Sequence, residues 1–212
     1  MNDSGQESGV DASAVVVEIR ASSAIVRLNR PAERNALSVA TLQELDSVVS
    51  TLITRPELSA IIFTGTNDVF ASGANIRELR ALTPATAQEF ARRGQRLFQK
   101  IADARQLTIA AVNGYCMGGG LDLALACDLR YASPNAVFAH PGARLGIITG
   151  WGGTQRLPRL IGTTRALEMF ATAKRVTSSE AVEMGLVNSI GEPVLDKACE
   201  AVRSFALLKR GS

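Results

Sequence analysis

Residues Ile109 to Asp128 read IAAVNGYCMGGGLDLALACD. The apolar run Thr108–Val112 has the character of a buried strand, and Asn113-Gly114 is a turn pair. Three consecutive glycines, Gly118, Gly119 and Gly120, then open a helix-forming run, Leu121 to Ala126. Glycines at a helix entrance expose backbone N–H groups that no side chain shields, and the helix dipole adds partial positive charge there. Such a site suits a developing oxyanion. The plainer alternative is that the glycines only let the helix pack closely against a strand.

A second stretch favours the oxyanion reading. Phe70-Ala71-Ser72-Gly73-Ala74-Asn75-Ile76-Arg77 follows another apolar strand, Ala60–Thr64, and also sets a glycine among small residues. Two such loops could each offer one backbone donor to a single carbonyl oxygen. With these motifs the chain resembles the crotonase superfamily, the enoyl-CoA hydratases and isomerases. The resemblance runs from about Val15 to Val187 and rests on LNRPAERNAL, FASGANIREL, AAVNGYCMGGGLDLALACDL and FAHPGARLGIITGWGGTQRLPRLIG.

Composition narrows the function classes. The 212 residues suit one domain with a sizeable core, 46% of them apolar and 20% charged. The net charge of +3 is small and the basic residues are scattered, so nucleic acid is not an expected partner. Cys116, Cys127 and Cys199 form no CxxC pair and sit in apolar settings, which reads as small core residues in a reducing compartment. Cys116 as a catalytic thiol is the less favoured alternative, and no metal site is expected. Residues 1–14 carry no Lys or Arg and resemble neither a secretory signal nor a transit peptide. No apolar run approaches the ~20 residues that span a bilayer. A soluble, cytoplasmic protein without membrane contact is the expectation.

In order, Val15–Ile19 and Ala24–Leu28 read as strands, and Ser38 as the N-cap of a helix carrying Leu42, Leu45, Val49 and Leu52. A second amphipathic helix bears Phe90, Gly94, Leu97, Phe98 and Ile101 on one face. Leu129–Ala132 and Ala136–Ala139 read as strands. Leu157–Ile161, Thr164–Ala171, Ser178–Met184 and Val194–Leu208 read as helices. The physical pattern supports an α/β domain with helices covering a sheet. The resemblance implies more: a spiral of ββα repeats, assembled as a homo-trimer or hexamer. It divides the chain into a disordered N-terminus (1–14), an acyl-CoA-binding core (15–190) and a shortened C-terminal helical segment (191–212).

The resemblance also assigns roles. A thioester carbonyl would sit between the backbone N–H groups of Ala74 and Gly119. Coenzyme A, carried in as part of the substrate and not as a bound cofactor, would lie along Ala74, Asn75, Ile76 and Arg77, with Arg34, Asn35 and Ala36 flanking its adenine. Arg77 could meet a phosphate, and Arg30 is a weaker candidate. Hydratases of this family use two glutamates about one water. The first position is Asp122 here, shortened by one methylene, and the second is Gly142, which cannot transfer a proton. His140, the only histidine, lies two residues before Gly142, and on an extended segment the two would face one side. It is either a substitute proton carrier or a hydrogen-bonded structural histidine. Thr149 and Trp151, in ITGWGG, occupy a turn where the resemblance places polar or acidic groups in relatives with other chemistries, and Trp151 would line the acyl pocket or pack in the core. The expected function is enoyl-CoA hydratase/isomerase chemistry through an enolate. The alternatives are a catalytically impaired acyl-CoA binder and, against the intact loops, a purely structural subunit.

Overall fold

A computed structural model describes residues 13–210. Residues 1–12 of the expected loose N-terminus, and 211–212 of the tail, lie outside the described residues. Ser13 and Ala14 are tied to the first helix, the Ala14 N–H donating to Glu44 at 3.1 Å.

The chain begins with β1 (Val15–Arg20), β2 (Ser23–Leu28), β3 (Ala36–Leu37) and α1 (Val39–Leu52). A first turn of the spiral follows: β4 (Ala60–Thr64), β5 (Val69–Ala71), β6 (Gly73–Ala74), α2 (Ile76–Arg80) and α3 (Pro84–Ala102). The second is β7 (Leu107–Val112), β8 (Tyr115–Met117) and α4 (Gly119–Ala126). The third is β9 (Leu129–Ala132), β10 (Val137–Ala139), α5 (Gly153–Ile161) and α6 (Thr163–Thr172). The chain then continues through β11 (Val176–Thr177), α7 (Ser178–Glu183), β12 (Ser189–Ile190) and α8 (Val194–Arg210).

Each turn gives one strand to a large sheet and the next to a small one. The large sheet is ordered β1-β2-β4-β7-β9-β12, and all its pairs except β1–β2 are parallel. In the small sheet β5, β8 and β10 stack in parallel, and β11 closes the edge antiparallel. The strand-strand-helix order seen in the sequence is this spiral. Successive turns stack at the corner between sheets, where the Tyr115 N–H donates to the Asp68 carbonyl at 2.9 Å. A side chain at Gly114 would collide with that same Asp68 backbone, which accounts for the Asn-Gly pair there.

Alternation along the parallel strands sends their side chains to two cores. Val26, Ile61, Phe63, Ala110 and Val112 join the main core with α1, α3 and α4. Ile25, Ala60, Ile62, Ile109 and Ala111 face the other way. There Val194, Ala198 and Val202, four residues apart on α8, cover them. The last helix is therefore built into the domain as one of its covering layers. Ser38 caps α1 as its position implies, accepting from the Thr41 N–H at 3.1 Å.

Candidate active site

Two glycine loops meet at the end of the small sheet. Gly73, at φ +94, turns the chain after β5, and β6 pairs with β3 through Ala36↔Gly73 and Leu37↔Ala74. That ladder fixes where the Ala74 amide lies. Gly118, at φ +51, precedes α4 and leaves Gly119 as its first residue, so the Gly119 N–H has no partner within the helix. A Cβ built on Gly119 would lie 3.5 Å from Ala74 N, and one on Gly73 would lie 3.0 Å from Gly119 N. The two amides are neighbours.

Both residues line a cleft of about 260 Å³. Its walls include Leu79, Phe90, Ile147 and Trp151, and its mouth is apolar, with Ile76 48% and Ile148 64% exposed. Trp151 serves as both wall and core. Its ring lies 5.3 Å from Phe90 and 5.8 Å from Phe98, and its indole N–H donates to the Phe90 carbonyl. The ring occupies the space where side chains at Gly94 and Gly119 would otherwise go.

Asp122 sits one turn into α4, and its side chain is fully buried. It does not line the cleft. The Thr149 hydroxyl, which does, donates to its Oδ2. Its Oδ1 lies 3.5 Å from His140 Nε2, and neither of these buried atoms closes a hydrogen bond. A Cβ at Gly153 would land on this carboxyl and within 3.1 Å of His140 Cε1, so the glycine makes room for the cluster. Burial raises the Asp122 pKa to about 7. The Thr149 hydroxyl, the Trp151 and Gly153 amides and the charge of Arg156 pull it down against that effect. Burial lowers the His140 pKa to about 4, so its imidazole is neutral at physiological pH. The imidazolium needed by a general acid is disfavoured there.

A second cleft adjoins the first, sharing Ser72 and Pro141. Arg34, Arg144 and Arg175 line it, and no Asp or Glu does. The Arg34 guanidinium lies 5.0 Å from the centroid of the Tyr115 ring, within cation–π range. No described ion pair involves any of the three arginines.

Residues 18–208 match the family model described as enoyl-CoA hydratase/isomerase. The chain belongs to this family. It is 39% identical over 180 residues to a short-chain-enoyl-CoA hydratase from Clostridium acetobutylicum, covering 84% of this chain and 69% of that one. It is 40% identical, with the same coverage, to a crotonyl-CoA hydratase from Syntrophomonas wolfei. Among solved structures, an enoyl-CoA hydratase from Bacillus anthracis superposes with a TM-score of 0.87 at 33% identity. That match covers 92% of this chain and 77% of the other. The α/β spiral is thus the crotonase fold.

Of the residues read from the family motifs, Ala74, Ile76, Gly119, His140 and Gly142 meet around the first cleft. Arg34 lies on the second. Asn75, Arg77 and Ala36 line neither. Asn75 Oδ1 instead caps α2, accepting from the Arg77 and Glu78 amides at 2.9 and 3.4 Å. Ala36 acts through its ladder to Gly73. The segment after His140 is a 3-10 turn, Pro141–Leu145, in place of the extended run expected, yet His140 and Gly142 still share the cleft. A Cβ at Gly142 would stand 2.6 Å from the Ile147 carbonyl oxygen. A carboxylate side chain here would require the Ile147 backbone to shift.

The sequence reading passed over Arg144 and Arg175. They are 31 positions apart and only the fold brings them to Arg34. The thiols take no part in either cleft. Cys116 and Cys127 are buried, with burial holding Cys116 well above the usual thiol range and pushing Cys127 up to about 12. No described helix is long and apolar enough to cross a membrane. Among the described residues no group of three His, Cys, Asp or Glu side chains is placed to hold a metal ion.

Proposed function

We propose that this family member acts on an acyl-CoA thioester and stabilises its enolate with the Ala74 and Gly119 amides. One observation carries the reading: two adjacent amides, one at a helix N-terminus, on the wall of an apolar cleft. Converting a thioester to its enolate moves negative charge onto the carbonyl oxygen. Donors fixed by backbone geometry favour that charge more than the neutral ground state. The three-arginine cleft supports a polyphosphate at the far end of the ligand, since guanidinium groups bind phosphate through paired N–H donors. Coenzyme A then belongs to the substrate, and no resident cofactor is needed.

Hydration of an enoyl thioester is the first reaction to test. A single carboxylate that returns the proton it removes also serves double-bond isomerisation, and among the described residues Asp122 is the one acid beside the cleft. The relatives are named as enoyl-CoA hydratases or hydratase/isomerases, which gives no support to a silent acyl-CoA binder. By analogy with the family, the assembly is a homo-trimer or hexamer and the compartment cytoplasmic. The exposed apolar mouth is the kind of surface that assembly would cover.

The test is a crotonyl-CoA assay that follows loss of the enoyl thioester absorbance, with acyl-CoA binding measured alongside. Turnover together with binding is expected. Binding without turnover on crotonyl-CoA or on a panel of enoyl-CoA thioesters would overturn the catalytic reading.

A further inference from the structure

Among the described residues Asp122 is the only carboxylate at the site, yet it does not line the cleft. Its side chain is fully buried behind the cleft wall. Two polar side chains stand between it and the cleft. His140 Nε2 is 3.5 Å from Oδ1 and closes no hydrogen bond. Thr149 lines the cleft, is only half-buried, and its hydroxyl donates directly to Oδ2. Gly142, the other position where an acid could have stood, sits in a turn where a side chain would displace the Ile147 carbonyl.

We propose that Thr149 is the catalytic residue that meets the reacting atoms, its hydroxyl carrying protons between the substrate and Asp122. This deepens the enoyl-thioester reading above and rests on it. While its hydrogen is engaged by Asp122, the Thr149 oxygen keeps lone pairs to accept a second proton. In hydration, a water oxygen bonds to the β-carbon as the C=C electron pair moves through the α-carbon onto the thioester oxygen. The water gives one proton to Thr149 Oγ1, and Thr149 gives its own to Asp122 Oδ2. The enolate oxygen is held by the Ala74 and Gly119 amides. Its electrons then form a C–H bond at the α-carbon, taking a proton from Thr149, which recovers one from Asp122. One water has been added across the double bond, and both side chains end as they began. The same hydroxyl can return a proton to a different carbon, which is isomerisation.

The relay explains how one sealed carboxylate can serve where the family pattern has two acids. It also accounts for Gly153, whose missing side chain leaves the space in which Asp122, Thr149 and His140 meet.

The test compares wild type, Thr149→Val, Thr149→Ala, Thr149→Ser and Asp122→Asn in two assays. One is crotonyl-CoA hydration. The other is deuterium exchange at the α-carbon of butyryl-CoA in D2O, which needs only enolate formation. Circular dichroism confirms that each variant is folded, and Thr149→Ala serves if the methyl that replaces the hydroxyl in Val crowds Asp122. Loss of both activities by ~10²-fold or more is expected in Val, Ala and Asn, with butyryl-CoA affinity within a few-fold of wild type. Thr149→Ser should keep both within about tenfold, because it keeps the hydroxyl. If Thr149→Val and Thr149→Ala retain turnover while Asp122→Asn abolishes it, Asp122 reaches the substrate without Thr149 and the relay is wrong. If wild type neither hydrates nor exchanges, the enolate reading itself fails, and the relay falls with it.

Discussion

His140 Nε2 and Asp122 Oδ1 face each other at 3.5 Å, both buried and neither hydrogen-bonded. Burial moves the two groups in opposite directions, the carboxyl up to about 7 and the imidazole down to about 4. Between these values the pair is uncharged, which is the state a dry pocket favours.

Stability should therefore respond to pH in two opposed ways. Asp122 is raised above its unfolded value of 3.8, so its contribution is full below that pH and is lost as pH rises through about 7. His140 is depressed below 6.5, so its contribution is present above that pH and is lost as pH falls through about 4. Between about pH 4 and 6.5 the two slopes cancel. Relative to wild type, His140→Phe should then lose ~1.4 kcal/mol of unfolding free energy per pH unit of rise in that window, and Asp122→Asn should gain as much. Urea denaturation at a series of pH values reads both differences. Parallel curves for all three proteins would mean that the pair does not titrate as described.

Turnover should follow the ionised form of Asp122. A carboxylate that must accept a proton gives kcat/KM an acid limb, here with its midpoint near pH 7 and not in the ordinary carboxylate range. Asp122→Asn should lower kcat ~10²-fold or more while leaving acyl-CoA affinity within a few-fold, because the side chain lies outside the cleft. An acid limb near pH 4, or an unaltered rate in the variant, would remove Asp122 from the reaction.

Gly119→Ala should damage catalysis through Trp151. The new methyl would collide with the indole ring and displace the start of α4, and with it one of the two donors. Loss of an oxyanion donor typically costs ~10²–10³ in kcat. Gly94→Ala meets the same ring from α3 but carries no donor. It should lower thermal stability by an overpacking penalty of roughly 1–3 kcal/mol with a much smaller effect on rate. Equal rate losses in the two variants would assign the effect to the position of Trp151 and not to the amide.

The fold was legible where periodicity is long. The Ser38-capped α1 and the apolar face of α3 announce themselves over many residues, and Ala60–Thr64 shows as a short continuous apolar run. The two-residue strands Ala36–Leu37 and Gly73–Ala74 carry no periodic signal, because they exist only by pairing with each other across the fold. The short helix Ile76–Arg80 was missed for a related reason, since its cap, Asn75, reads equally well as a ligand contact. At the site, Ala74 and Gly119 were visible through glycine spacing. For Asp122, in the first turn of a helix, the dipole favours the charged form and burial opposes it, but nothing local says that Thr149, 27 residues later, will donate to it. The opposed pKa shifts and the closure of the second acid position at Gly142 likewise arise only from packing.

The arginine cleft gives the remaining prediction. Arg34, Arg144 and Arg175 meet with no carboxylate among the residues that line their cleft, so their charge is available to an anionic ligand. If that ligand is the phosphate portion of coenzyme A, replacing Arg144 or Arg175 by Ala should raise KM roughly 3- to 10-fold per site and leave kcat unchanged, since both line the second cleft and neither lines the first. The penalty should shrink as ionic strength rises and screening weakens the wild-type attraction. A truncated substrate separates this from general damage. An acyl-pantetheine without phosphates should bind wild type more weakly than the acyl-CoA does, and it should be processed alike by wild type and the arginine variants. If the variants lose as much on acyl-pantetheine as on acyl-CoA, these arginines support the fold of the cleft and do not recognise phosphate.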